Sequence, residues 1–214
     1  MSGVAQLYAP DPGPALDGKP GEVNPDFKGC GAVMRSAPFG LVNSAGGAFA
    51  MAARAAQITH GHPTGHHAAG VLTVIVAHLV AGDSLEEAAL RTLGLPVRRP
   101  GHEETSATLT EAVDLAEQGA PTAEKVETLG EGWVAERALA LGVYCAPVTP
   151  TVRDALLLSV NHSGDSDSTG SPCGNLLGAR YGDHGLPHEW VERVEGRAQM
   201  TAPADDLAAE GVRR

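Results

Sequence analysis

Aromatic residues are scarce in this chain. Phe, Tyr and Trp make up 4% of the 214 residues, although hydrophobic residues as a whole make up 43%. Ala, Gly, Leu and Val therefore occupy most apolar positions, and these side chains suit close helix packing better than a β-sandwich. We expect an all-α or mostly α fold, in a chain long enough to bury one sizeable core.

Positive charge is also limited. The chain has 15 Lys and Arg against 26 Asp and Glu, which gives a formal net charge of -11 at pH 7. Because this balance leaves no basic stripe to contact a phosphate backbone, nucleic acid is not expected as a partner.

Cysteine is rare, and no apolar run is long enough to span a bilayer. The three cysteines, Cys30, Cys145 and Cys173, are an odd number without a CxxC pair, so neither a disulfide framework nor a zinc knuckle is indicated. Reduced thiols and the absence of a signal-peptide pattern predict a cytoplasmic protein. The longest apolar run, residues 68–80, is shorter than the roughly 18 to 20 residues of a membrane span, so it predicts a buried helix and no membrane contact.

Proline and helix signals predict one domain between two irregular ends. Residues 1–28 contain five prolines and are predicted to form an irregular lead-in. Residues 29–197 are predicted to form the helical domain, and residues 198–214 a flexible tail. Apolar periodicity and capping residues predict helices at 44–59, 65–80, 84–94, 108–117, 122–129, 133–141 and 153–160, and a further helix from near Pro172 to Tyr181.

Two carboxylates lie among hydroxyl residues in the sequence Asn-His-Ser-Gly-Asp-Ser-Asp-Ser-Thr-Gly at 161–170. Asp165, Asp167 and Ser168 offer only oxygen ligands, which suit a hard cation. Carboxylates two positions apart point to nearly opposite sides of an α-helix, so they converge on one ion only in a loop or in a turn at a helix start. The alternative without a metal is an Asx or Ser/Thr turn that caps the following helix.

Two other kinds of metal site match the sequence less well. An EF-hand would place Asp165, Asp167 and Gly170 at loop positions 1, 3 and 6, but Leu176 stands at position 12, where a bidentate Glu is required. A zinc site at the histidines within residues 60–67 lacks a nearby Cys or carboxylate to complete a tetrahedral set, and the HExxH pattern is absent.

Three further segments accompany the carboxylate motif. They are Gly-Cys-Gly-Ala-Val-Met-Arg at 29–35, Ile-Thr-His-Gly-His-Pro-Thr-Gly at 58–65 and Gly-Glu-Gly-Trp-Val-Ala-Glu at 130–136. Together with Gly-Asp-Ser-Asp-Ser at 164–168, they resemble the motifs of the ADP-ribosylglycohydrolase family, in the same order along the chain. The resemblance extends from about residue 28 to residue 179. Within it, Trp133 is predicted to be a core anchor.

The resemblance implies a fold, an activity and a set of site residues. The fold would be the family's all-α orthogonal helical bundle. The activity would be hydrolysis of the bond between ADP-ribose and a protein side chain or small acceptor. Asp165, Asp167 and Ser168 would supply part of a site for two Mg²⁺ ions at the mouth of the cleft. The residues implied to contact ADP-ribose are Gly29, Gly31, Met34, Arg35 and His60.

The family's N-terminal motifs have no counterpart in residues 1–28. These motifs are similar to Gly-Asp-[Ala/Ser]-Leu-Gly and Thr-Asp-Asp-Thr, and in the family they supply the other half of the metal site and the acidic residue associated with catalysis. The chain is therefore expected to be a truncated member without an assigned catalytic residue. Two hypotheses stay open: a magnesium-dependent hydrolase, and a non-catalytic helical domain, a pseudoenzyme or fragment, that binds an ADP-ribose-like nucleotide or a protein partner.

Overall fold

The computed structural model describes residues 23–212, except for the side chains of residue 98 and residues 210–212. Regular structure in this range is helical, apart from one isolated antiparallel bridge between Gly29 and Val134. The α-helices are α1 Gly31–Met34, α2 Pro38–Val42, α3 Ala45–Gln57, α4 Pro63–Val80, α5 Leu85–Thr92, α6 Glu103–Ala116, α7 Ala123–Thr128, α8 Ala135–Cys145, α9 Val152–Val160, α10 Ser166–Tyr181, α11 His188–Arg193 and α12 Arg197–Val212. Short 3-10 helices at Pro96–Arg98 and Asp183–Gly185 follow α5 and α10.

Helix α4 is the centre of the bundle. Buried residues lie on all of its faces, because α3, α5, α8 and α10 pack against it. Its start is fixed by His62, whose Nδ1 accepts a hydrogen bond from the Thr64 amide at 3.2 Å. Helix α3 approaches closely at Gly70, where a Cβ atom would lie 2.7 Å from the Phe49 ring. The buried helix predicted at 65–80 is confirmed, and no helix of the described residues combines the length and apolar character needed to cross a membrane.

Helices α8 and α10 carry the rest of the core and position the candidate site. All residues of α8 except Arg137 are buried. Gly142 of α8 permits a close approach of α10, since a Cβ atom there would lie 2.7 Å from Cβ of Pro172. The start of α10 is thereby held against α8, which matters because the carboxylate motif lies at that start.

Helix α10 begins at Ser166, well before the helix start predicted at Pro172. Proline has no N–H to donate and is disfavoured inside helices, yet Pro172 lies within α10. The prediction is wrong because tertiary packing outweighs local preference: Pro172 is buried against Gly142. Helix α6 also starts earlier than predicted, at Glu103, and its first turn carries the carboxylates that a helix dipole favours there.

The two ends of the chain are described only in part. Residues 23–28 are irregular, as predicted for the lead-in, and its residues 1–22 lie outside the described range. The segment predicted as a tail has helical backbone in α12, with nearly all of its described side chains exposed. Some contacts join α12 to α2. The flexibility of this segment stays a prediction.

Candidate functional site

Backbone hydrogen bonds join the loop at 29–35 to the start of α8. The Cys30 amide donates to the Trp133 carbonyl at 3.2 Å, and the Ala135 amide donates to the Lys28 carbonyl at 2.9 Å. Between them lies the antiparallel bridge of Gly29 with Val134. Two segments that are about a hundred residues apart in sequence are thus paired at the level of the main chain.

The carboxylate motif is tied to the same place. The Asp165 amide donates to the Glu131 carbonyl at 2.7 Å. A Cβ atom at Gly164 would overlap the Glu131 main chain, and one at Gly132 would overlap the methyl group of Thr169. Glycine at both positions therefore permits the two segments to touch, and a larger residue at either position would separate them.

The histidine-containing segment at 58–65 borders this assembly. The Gly61 amide donates to the Asn24 carbonyl at 3.1 Å. From the loop at 29–35, Nη2 of Arg35 donates to Oγ1 of Thr59 at 2.6 Å. All four segments singled out in the sequence therefore meet around residues 24–35.

The carboxylates occupy the start of α10. Asp165 is the residue before the helix and Asp167 lies in its first turn, which is the geometry that allows two such side chains to converge. Oγ of Ser168 donates to Oδ2 of Asp165 at 2.8 Å. Burial raises the pKa of Asp165, but hydrogen bonds with Asp167 and Ser168 outweigh it and hold the pKa below its ordinary value of 3.8. The hydrogen bond with Asp165, and then its charge, raise the pKa of Asp167.

Cys30 lies beside Asp165 and Ser168, in what we call the carboxylate corner, although it was not among the predicted site residues. Its Sγ is 2.9 Å from Oγ of Ser168 and 3.9 Å from Oδ2 of Asp165. Sδ of Met34 lies 3.5 Å from the same Ser168 oxygen. Burial raises the pKa of the Cys30 thiol, and the hydrogen bond with Ser168 offsets this only in part. The carboxylate corner is thus lined on one side by sulfur.

We expect Cys30 to be the thiol that reacts in the folded protein. It is half-buried, whereas Cys145 and Cys173 are fully buried. Because its pKa is raised, alkylation by iodoacetamide should be slow at pH 7 and should accelerate as rising pH increases the thiolate fraction. Mass spectrometry should find one modified cysteine before unfolding and three after it. A Cys30→Ser variant that still reacts in its folded state would contradict this assignment.

The residues implied to contact ADP-ribose lie next to the carboxylate corner. The Met34 carbonyl accepts from Oγ of Ser171 and from Nδ2 of Asn175 of α10, each at 3.1 Å. Arg35 is exposed, and its Nη1 donates to the Gly31 carbonyl at 3.0 Å. The loop at 29–35 is therefore braced from beneath by α10, and it presents a guanidinium group to solvent.

His60 combines burial with an unused polar atom. It is 3% exposed, its ring stacks on Phe27 with centroids 4.7 Å apart, and its Nδ1 lies 2.7 Å from Oγ1 of Thr59. Its Nε2 is buried without a hydrogen-bond partner. Burial, and then the charge of Arg35, lower the pKa of His60 to about 4. At neutral pH this side chain is an uncharged imidazole held in a fixed orientation.

Trp133 is not the core anchor that the sequence predicts. Its side chain is 61% exposed, although its carbonyl bonds the Cys30 amide. The reason is the turn at Gly132, whose φ of +83° directs the chain so that the following side chain leaves the core. An exposed indole therefore stands beside the loop at 29–35.

The described side chains supply only part of a metal shell. Within residues 23–212, no three side chains of His, Cys, Asp or Glu converge closely enough to hold an ion. The histidines at 60–67 have other partners: Nδ1 of His62 caps α4, and Nε2 of His66 lies 2.6 Å from the His60 carbonyl. The zinc alternative thus gains no support from the geometry of these residues.

An open groove of about 330 Å³ runs beside the carboxylates. It lies between α9, α10 and α11, with Asp167 and Ser166 on one rim and Trp190 on the other. Its wall is formed by Leu156, Leu157 and Val160 of α9. Asp167 thus borders solvent-accessible space.

The assembly of these segments agrees with comparisons to known proteins. A profile of the ADP-ribosylglycohydrolase family matches residues 2–214. This chain belongs to the ADP-ribosylglycohydrolase family. A solved structure described as an ADP-ribosylglycohydrolase-related protein complex superimposes with a TM-score of 0.68 and 25% identity, covering 95% of this chain and 65% of that one. The predicted fold type is therefore confirmed.

Curated relatives resemble the chain over most of its length. ADP-ribosylhydrolase ARH3 of Bos taurus is 29% identical, over 84% of this chain and 57% of its own length. ADP-ribosylarginine hydrolase Tri1 of Serratia proteamaculans is 26% identical, over 87% and 48%. ADP-ribosyl-[dinitrogen reductase] glycohydrolase of Rhodospirillum rubrum is 27% identical, over 67% and 42%. The chain spans about half the length of the curated relatives it matches.

Proposed function

We propose that this protein hydrolyses the glycosidic bond between ADP-ribose and a protein side chain or small acceptor, with Mg²⁺ bound at Asp165, Asp167 and Ser168. The observation that carries the proposal is the convergence of four sequence segments: main-chain hydrogen bonds join those at 29–35, 130–136 and 164–168, and the Arg35 side chain joins the segment at 58–65. The names of the relatives include hydrolases of ADP-ribosylated arginine and of ADP-ribosylated dinitrogen reductase. We extend that substrate class to this chain.

The donor set at the start of α10 fits part of a magnesium shell. Carboxylate and hydroxyl oxygens are ligands that Mg²⁺ accepts, and Ser168 Oγ and Asp165 Oδ2 are already 2.8 Å apart. Since no three suitable side chains converge within the described range, water and substrate oxygens would have to complete the octahedral shell. When bound, such ions orient a sugar hydroxyl and an attacking water. The second ion expected for the family stays a prediction.

The remaining site residues bind and orient the substrate. Arg35 places a positive charge beside the loop at 29–35, where it suits the diphosphate of ADP-ribose. His60 is neutral at pH 7, and its Nε2, which has no hydrogen-bond partner among the described residues, would hydrogen-bond a sugar or phosphate oxygen once the loop above it shifts to admit the ligand. Met34 closes the apolar side of the same wall. The exposed indole of Trp133 offers a face on which a ring can stack.

Release of free ADP-ribose tests the proposal. The parent protein should release it from ADP-ribosylated arginine or serine peptides with Mg²⁺ and should stop when EDTA is added. Asp165→Asn keeps the shape of the side chain and removes its charge, so we expect at least about a 100-fold loss of rate. Asp205→Asn, on exposed α12, is the matched control and should retain parental activity. Release that is unaffected by EDTA or by Asp165→Asn would overturn the magnesium assignment.

A non-catalytic nucleotide-binding domain is the second candidate function. It is favoured by the absence of a three-ligand cluster in residues 23–212. Calorimetry distinguishes the two: binding of ADP-ribose with the same affinity in EDTA and in Mg²⁺, together with no release from any peptide, would favour the binding domain. Magnesium-dependent release would favour the hydrolase.

A further inference from the structure

A partly buried ion-pair cluster adjoins the start of the loop at 29–35. Nζ of Lys28 is 2.9 Å from Oε1 of Glu136 and 2.6 Å from Oε2 of Glu104. Oγ1 of Thr64 donates to the same Glu104 carboxylate at 2.7 Å. Lys28 therefore joins the first turns of α4, α6 and α8, and it immediately precedes the glycine that opens the loop. Burial lowers the pKa of Lys28, but the two carboxylates outweigh this and raise it, so the side chain is charged.

Glu136 is the unusual member of this cluster. Among the described side chains it is the one Asp, Glu, Lys or Arg that is buried, at 4% exposure. Its Oε2 is buried without a hydrogen-bond partner. A carboxylate with one ion pair and one unused oxygen is a poor way to stabilise an apolar helix, because replacing buried ion pairs by apolar residues is often neutral or stabilising. We therefore expect Glu136 to position a neighbouring segment and not to stabilise α8.

The Glu136 carboxylate adjoins the place where the loop pairs with α8. Lys28 uses its side chain on Glu136 and its carbonyl on the amide of Ala135, the neighbouring residue. The bridge of Gly29 with Val134 continues the same pairing toward the loop. Because Gly29 follows Lys28 directly, a displacement of Lys28 would also move the main chain at the start of the loop.

We propose that Glu136 is a positioning residue that, through Lys28, holds the loop at 29–35 in the geometry that binds ADP-ribose. This inference rests on the proposed function, because that function assigns ADP-ribose to the loop. Glu104 cannot substitute, since its side chain is 48% exposed and its ion pair with Lys28 lies in the solvent-screened part of the cluster. Without the charge of Glu136, Lys28 follows Glu104 outward and the pairing with α8 loosens.

The test compares two carboxylates that share one lysine. Glu136→Gln and Glu104→Gln each remove the negative charge of one partner of Lys28 with almost no change in side-chain size. For Glu136→Gln we expect amide exchange with deuterium in residues 28–35 to accelerate about tenfold and the Kd for ADP-ribose to rise about tenfold. For Glu104→Gln both changes should be less than about threefold. The stabilisation of either variant by Mg²⁺ should equal that of the parent, because the carboxylates of α10 are unchanged.

A second variant keeps the test decisive. Glu136→Asp retains the charge but shortens the side chain by one methylene group. The carboxylate would then no longer reach Lys28, so this variant should also loosen the loop. Equal effects of Glu136→Gln and Glu104→Gln, or a lower melting temperature without faster exchange in residues 28–35, would overturn the proposal. Failure of the parent to bind ADP-ribose would overturn the proposed function instead, and the exchange data would still decide whether Glu136 holds the loop.

Discussion

Gly132→Ala is expected to destabilise the protein by roughly 2 to 5 kcal/mol. Two costs combine at this position. Its φ of +83° is a conformation that costs a residue with a Cβ atom about 1 to 2 kcal/mol, and the added Cβ would overlap the methyl group of Thr169 in a buried turn, which adds about 1 to 3 kcal/mol. Urea unfolding of the parent and the variant measures the sum.

Gly119 provides a matched control for this substitution. Its φ of +82° is almost the same, but nothing lies within 4 Å of a Cβ atom built there. Gly119→Ala should therefore cost only the conformational part, about 1 to 2 kcal/mol. Equal destabilisation by the two substitutions would contradict the packing of Gly132 against α10, and with it the contact that brings the carboxylate motif to the start of α8.

Asp167→Asn is expected to reduce stabilisation by Mg²⁺ by at least about half and to leave the metal-free protein at least as stable as the parent. If the parent binds the ion, saturation at a hundred times Kd should add about 2.7 kcal/mol to the free energy of unfolding. Loss of a ligand should weaken the affinity by at least about 10-fold to 100-fold. In the absence of the ion, the amide removes repulsion between two carboxylates and can donate to Asp165.

The pH dependence of stability provides an independent check on Asp167. Its folded pKa is raised by Asp165 above the ordinary value of 3.8, so the ionised form is disfavoured in the folded state. Asp167 should therefore contribute a loss of stability as the pH rises from about 4 through that pKa, which the difference between parent and variant isolates. Asp167→Asn should lack this loss. A melting temperature of the metal-free variant below that of the parent, with Asp205→Asn unchanged, would contradict the contact between the two carboxylates.

Sequence reasoning selected four segments that the fold brings together, because their residue types report local chemistry. Gly164 is required where it meets the main chain of Glu131, Gly132 is required where the turn meets Thr169, and the carboxylates at 165 and 167 mark a helix start. Each of these is a property of a short stretch. The order of the four segments then identified the family, and through it the fold.

Properties that depend on distant partners were not predictable from the sequence. Pro172 looked like a helix start because nothing local reveals Gly142 of α8, which packs against it. Trp133 looked like a core residue because the backbone conformation of Gly132, which directs the indole outward, cannot be read from the residue types. Cys30 and Glu136 lie in segments that the sequence singles out, but nothing local assigns either residue a role. Their significance arises from Ser168 and Lys28, which are more than a hundred residues away.

The proline inside α10 has a mechanical consequence. Because residue 172 has no N–H to donate, the carbonyl of Ser168 receives no bond from it, and the ladder of the helix is interrupted just after the turn that carries Asp165 and Asp167. The part of α10 beyond the break is clamped in the core by α8. The first turn is held instead by bonds from outside the helix: the Asp165 amide donates to the Glu131 carbonyl, and Oγ1 of Thr169 donates to the Ser159 carbonyl. The position of the two carboxylates therefore depends on these neighbouring segments as well as on α10 itself.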